Sequence, residues 1–220
     1  MNVARARKWI VRGGIVAALF YTPIHSVNPA SRLALIDSLL ERGTPEVGDS
    51  RFFNRLDMVF DDGRFYSDKP PVLALYSTAV VAPVHGPLRF DDGVAGKVLY
   101  WLVVASASGL ALLALVLVAR ALHRRVGGRL PWTWLAGAVV AATCILPFAR
   151  TYNDHIVEAA ALFGVFLLLC ARDEEAGRAR ALAAGALVGL CWLLHPLVGT
   201  VAALTTGLYF LLRGAGGAIG

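Results

Sequence analysis

Cysteine is scarce in this chain, and a glycine-rich phosphate loop is missing altogether. The three cysteines, Cys144, Cys170 and Cys191, each lie inside an apolar run, and no two stand at metal-ligand spacing. They imply no metal site and read as small buried hydrophobes. Without a glycine-rich loop no nucleotide site is expected, and no cofactor is implied. A small-x-small cleavage site is also lacking after Tyr21-Thr-Pro-Ile-His-Ser-Val27, so the basic N-terminus with its apolar run is read as an uncleaved first span. No inverted repeat is visible, which counts against a coupled transporter.

What is present is apolar. Hydrophobic residues make up 57% of the 220 positions and the mean hydropathy is +0.63. The apolar residues come in runs of roughly 16 to 22, the length that a bilayer core of roughly 30 Å asks of a helix. The net charge of +6 does not point to nucleic acid, because the bases sit in short clusters beside the apolar runs.

These patterns predict an all-α integral membrane protein with about six transmembrane helices and a large outer loop carrying amphipathic juxtamembrane helices. The first span covers 1–27, the outer loop 28–97, a five-helix bundle 98–213 and a flexible tail 214–220. Within the bundle the expected spans are about 98–119, 131–148, 156–171, 181–194 and 197–212. Ser31 to Arg42 alternates apolar and charged residues with helical period and stops at Gly43, as a helix lying along the membrane surface would. Val72 to Val84 is apolar but flanked by prolines and too short to cross, so it is read as interfacial. With that assignment Arg120 to Arg129 and Arg172 to Arg180 fall on the cytoplasmic side, as the positive-inside bias requires. Both termini are then inside the inner membrane, and His195-Pro196 makes a tight outer hairpin.

One stretch is polar, from Arg55 to Pro71. Asp61-Asp62-Gly63, like Asp91-Asp92-Gly93, reads first as a tight turn. Lys69 precedes the stiff Pro70-Pro71 step at headgroup depth, where an ammonium suits a lipid phosphate, and Arg32 offers a second, bidentate contact. The acids Asp57, Asp68 and Asp37 are candidates for a general base. A further polar knot, Arg150-Thr-Tyr-Asn-Asp-His155, supplies Asn153 or Asp154 as a helix cap and Glu158 as an acid one turn on, a partner for Arg150 or His155.

The order of a first span, an Arg-bearing helix, Gly63-Arg-Phe-Tyr66-Ser-Asp-Lys69-Pro70-Pro71, Ala149-Arg150-Thr151 and the His195-Pro196 hairpin resembles the GT-C membrane glycosyltransferases. The likeness is to the protein mannosyltransferase and lipid A aminoarabinose transferase branch. It implies transfer of a sugar from a polyprenyl-phosphate donor, with inversion, to a glycan, lipid or protein acceptor at the outer face of the membrane. The lipid-linked sugar is a substrate, and membrane lipids are the partners. By position Lys69 and Arg32 would hold the phosphate, with Tyr66 and Arg150 near it, and an acid would act as general base. The usual acidic pair before the arginine is replaced by Asn28-Pro29-Ala30-Ser31, so Asp57 is the first choice for the base, Asp154 the second and Asp37 the third. The size implies the N-terminal module of such an enzyme. A non-catalytic lipid-phosphate-binding relative is the alternative.

Overall fold

The computed structural model describes residues 27–91, 93–125, 151–170 and 177–217. The first element, α1 (Val27–Arg42), closes where Gly43 turns left-handed with φ +67° and returns its N–H to the Leu39 carbonyl at 3.2 Å. A surface helix would expose one face, but every residue from Ser31 to Ser38 is buried. The apolar set Leu33, Ala34, Leu35 and Ile36 leaves no polar stripe wide enough to face water, so α1 is an interior helix and not the amphipathic surface helix expected.

After α1 the chain makes a β-hairpin, a departure from the all-α expectation. Strand β1 (Met58–Asp61) pairs antiparallel with β2 (Arg64–Ser67), Asp61 opposite Arg64 and Met58 opposite Ser67. The two-residue turn is Asp62-Gly63, both with positive φ (45° and 78°), the geometry whose twist matches that of the strands. Asp91-Asp92-Gly93 is used differently. Asp91 Oδ1 accepts the N–H groups of Gly93 and Gly96, each at 2.9 Å, and so starts the next helix instead of turning a hairpin.

Helix α2 (Val72–His85) is followed by α3 (Val94–Val104), a π-helical segment Ala105–Gly109, and α4 (Leu110–Arg125). The unbroken helical stretch Val94–Ala121 is long and apolar enough to cross a membrane, and among the described residues it is the only such helix. Helix α5 (His155–Leu169), α6 (Gly177–Leu194) and α7 (Pro196–Gly217) complete the order.

Six crossings are therefore not shown. The 14 residues of α2 and the 15 of α5 rise about 21 and 22 Å, short of the roughly 30 Å of a hydrocarbon core. Helix α6 opens on Arg178 and Arg180, and the apolar part of α7 ends at Leu212. The expected span at 131–148 lies outside the described residues, as does that at 1–27 apart from Val27, which opens α1. The apolar runs pack on one another in part, α5 against α4 and α6 and α6 against α7, while Leu197, Val201, Leu204 and Leu208 of α7 stay exposed. Only His195 separates α6 from α7, as the tight hairpin requires, and its N–H reaches the Cys191 carbonyl at 2.8 Å.

Two hydrophobic clusters result. One joins Leu33 and Ile36 of α1 to Leu73 and Val81 of α2 and to Leu99 and Val103 of α3. The other joins Ala111 and Leu115 of α4 to Ile156 and Ala160 of α5. The π segment lies between them.

Candidate functional site

Ser31 and Arg32, adjacent in the buried part of α1, reach two different groups of residues. Ser31 Oγ donates to the Asp57 carbonyl at 2.7 Å and lies 2.7 Å from Ser67 Oγ. A hydroxyl has one proton and two lone pairs, so Ser67 is left to donate in that second bond. Ser67 Oγ in turn accepts the Lys69 N–H at 3.3 Å. One buried hydroxyl thus fastens both ends of the hairpin to α1 and fixes where Asp57, Asp68 and Lys69 stand.

Lys69 Nζ lies 3.1 Å from Asp57 Oδ2 and 3.0 Å from Asp68 Oδ2. Partial burial works against the ammonium, but hydrogen bonds and charge from Asp68 and Asp57 outweigh it and hold the lysine above its ordinary value. The side chain is 19% exposed, so it keeps a face open to a ligand.

Arg32 is engaged elsewhere. One guanidinium nitrogen meets Asp154 Oδ2 at 2.5 Å and the other donates to Asn28 Oδ1 at 2.5 Å. Both charged side chains of the pair are 3% exposed. Asp154 stands at the N-cap of α5 but makes no capping hydrogen bond, because its carboxylate is turned to the arginine. The cap role read from sequence is not the one Asp154 performs.

The remaining candidates divide. Asp37 is buried and its Oδ2 accepts from Ser50 Oγ at 2.6 Å and the Arg51 N–H at 3.3 Å, so it pins the loop after α1 and stands apart from Lys69. Tyr66 lies half-buried in β2 opposite Val59, and its backbone also bridges to Glu46. Arg150 lies outside the described residues. Glu158 is buried one turn into α5, with Oε2 3.5 Å from His155 Nδ1.

Tyr152 was not foreseen. Its hydroxyl lies 2.7 Å from the Leu73 carbonyl, to which it donates, and 2.9 Å from Ser77 Oγ, tying the segment before α5 to α2. Burial pushes its phenol well up, so it stays protonated as a donor. Nothing in a tyrosine between a threonine and an asparagine announces this.

Below that tie is an apolar cavity of about 380 Å³, within the usual range of small-ligand sites. Val72, Leu73 and Tyr76 of α2 form one wall, and Ala107, Leu110 and Val157 contribute to the others. Val72, where the lining begins, is three residues beyond Lys69, which is not itself among the lining residues.

No model of a known family matches the chain, and no curated protein or solved structure does. Among the described residues no three His, Cys, Asp or Glu side chains are grouped to hold a metal ion.

Proposed function

We propose that the chain binds a polyprenyl-phosphate-linked sugar and transfers the sugar to an acceptor hydroxyl at the outer face of a membrane. The observation that carries the reading is the half-open Lys69, flanked by Asp57 and Asp68, in a chain whose apolar cavity begins three residues later at Val72. An amphiphile with an anionic head and an isoprenoid tail has those two needs. The motif Gly63 to Pro71, which resembles that of the GT-C glycosyltransferases, supplies the cation, and the helix it leads into supplies part of the apolar wall.

In this reading Val94–Ala121 crosses the membrane. Arg120, Arg124 and Arg125 at its end lie on the inner side, and the hairpin and Lys69 lie on the outer side. The arriving phosphate takes a charge-assisted hydrogen bond from Lys69, which loosens its hold on Asp57. Asp57 then accepts the acceptor's proton as the acceptor oxygen bonds to the sugar's anomeric carbon. The bond from that carbon to the phosphate breaks, and polyprenyl phosphate departs with its charge held by Lys69. Arg32 serves this site through Asp154 and Asn28, as a positioning residue.

The test is turnover of polyprenyl-phosphate mannose and polyprenyl-phosphate aminoarabinose by membranes containing the chain. Lys69→Ala is expected to lower it by about 100-fold or more, the usual effect of losing one preorganised donor. Asp57→Asn is expected to abolish turnover while the lipid still binds. Unchanged turnover in both variants would sink the site. Asn28-Pro29-Ala30-Ser31 in place of an acidic pair before Arg32 favours a second reading, a lipid-phosphate-binding protein without transfer, and binding by the wild type with no turnover would support it.

A further inference from the structure

The apolar cavity is larger than helix packing leaves by chance. Its volume is about 380 Å³, whereas close-packed interiors keep few voids bigger than a water molecule. Small side chains make the space: Ala111 and Ala114 line it from α4, and Ala160 and Ala161 line it from α5. A void of that size forfeits the contacts of every group around it unless something occupies it.

The lining says what kind of occupant fits. Among the described lining residues only Tyr76 and Ser106 carry polar side chains, and both are engaged. The Tyr76 hydroxyl donates to the Ser106 carbonyl at 3.1 Å. Ser106 Oγ donates to the Val103 carbonyl at 2.8 Å and lies 3.1 Å from Ser77 Oγ. A charged head or a hydroxylated ring would lose its water and find little to bond inside. Cavities of this kind stay dry and take apolar guests.

Shape and size narrow the choice. The lining runs from Ser106 to Ala114 along one wall, a rise of about 12 Å, and from Leu187 to Leu194 along another, a similar length. The volume spread over that length leaves a cross-section of about 30 Å², the width of one aliphatic chain. A methylene has about the bulk of a water molecule, about 30 Å³, so the cavity has room for about a dozen carbons. Tyr76 and Leu110 line it and are also 42% and 54% exposed, which opens it to the surface beside α2 and α4.

We infer that the cavity is a binding site for a single aliphatic chain, of which it takes in about a dozen carbons, with Ala111 and Ala160 setting that capacity. Prenyl and fatty acyl chains share the chemistry. This deepens the proposed transfer reaction and rests on it only where the chain is the prenyl tail of the donor. The chain site itself stands on the cavity between α2, α4, α5 and α6.

The experiment is photolabelling of the full chain in CHAPS, a steroid detergent with no alkyl chain to compete. The probe is a dodecanol carrying a diazirine near its far end, and labelled peptides are mapped by mass spectrometry. The wild type should label saturably on α4 and α5. Unlabelled straight-chain alcohols should compete better as they lengthen, up to about a dozen carbons, and then no better. Ala111→Phe and Ala160→Phe should each shorten that cut-off by about three carbons, the bulk that the ring adds at about 30 Å³ per carbon. Unfolding midpoints on the same samples show which variants remain folded, and the wild-type label map and length series decide if neither does. Farnesol displacing the probe at a tenfold lower concentration than dodecanol assigns the site to a prenyl chain. The reverse order assigns it to a fatty acyl chain and separates it from the donor. No phosphate is present, so the result is independent of whether Lys69 and Asp57 catalyse transfer. Label that does not saturate, label spread over the exposed faces of α6 and α7, competition that keeps rising with length, or an unchanged cut-off in a folded variant would overturn the assignment.

Discussion

A buried guanidinium that already meets one carboxylate and one amide oxygen has little freedom to find another anion. That is the position of Arg32, and it changes the role that the motif suggested for it. Removing either partner of a buried ion pair leaves the other charged without compensation, at a cost of about 3–5 kcal/mol. Arg32→Ala should therefore lower unfolding stability by that amount in a denaturant titration, and the double variant Arg32→Ala, Asp154→Ala should recover part of it. Lys69 behaves differently because it is open on one side. Its folded value lies above the ordinary 10.5, so its contribution to stability is complete below that value and is lost only as pH rises through the raised one. The difference in unfolding midpoint between wild type and Lys69→Met should accordingly stay constant across neutral pH and vanish only in strong alkali. Lys69 and Asp57 were legible because they stand in the one polar stretch of an apolar chain. The partner of Arg32 was not, since 122 residues separate it from Asp154 and only the fold brings them together.

At the scale of elements, helix–helix approach depends on a few small residues. A Cβ built on Gly199 in α7 would come within 2.2 Å of the Trp192 backbone in α6, so the two helices meet there through the absence of a side chain. Gly199→Ala should force them apart and cost about 1–3 kcal/mol, measured as a fall in thermal midpoint. The same logic of close polar fit applies to the tie between α2 and α5. Tyr152→Phe removes the hydroxyl shared by Leu73 and Ser77 and should cost about 0.5–1.5 kcal/mol, the net worth of a hydrogen bond, since Ser77 keeps Ser106 as a partner. Helix periodicity made α1 readable, a short apolar run between prolines made α2 readable, and Asp62-Gly63 made the turn readable. The strands on either side were missed because Arg55 to Ser67 carries charge where strand patterning would show alternation. The interior position of α1 was missed because its charged residues suggested water, whereas Arg32 and Asp37 find their partners inside the protein.

For the whole molecule, apolar run length proved an ambiguous signal. It gives a helix long enough for a bilayer crossing at Val94–Ala121 and a shorter helix packed against its neighbours at α5, and the two are written with the same residues. The proposed orientation makes a direct prediction. After Cys144, Cys170 and Cys191 are replaced by alanine, a cysteine introduced at Asp62 should react with a membrane-impermeant maleimide added outside cells, and one at Arg124 should react only after permeabilisation. The opposite pattern would invert the molecule.

The π segment Ala105–Gly109 carries a consequence for how this chain tolerates change. One surplus residue in a helical turn shifts the phase of everything after it. Leu99 and Val103 therefore face α1 and α2, while Ala111 and Leu115 face α5. Ser106 and Ser108 lock the shift in place through Ser77 and the Thr151 carbonyl. The long helix works as two rulers joined out of step, one measuring the polar end and one the bundle. Substitutions along the second can accumulate without disturbing the first, so long as the five residues at the joint keep their count.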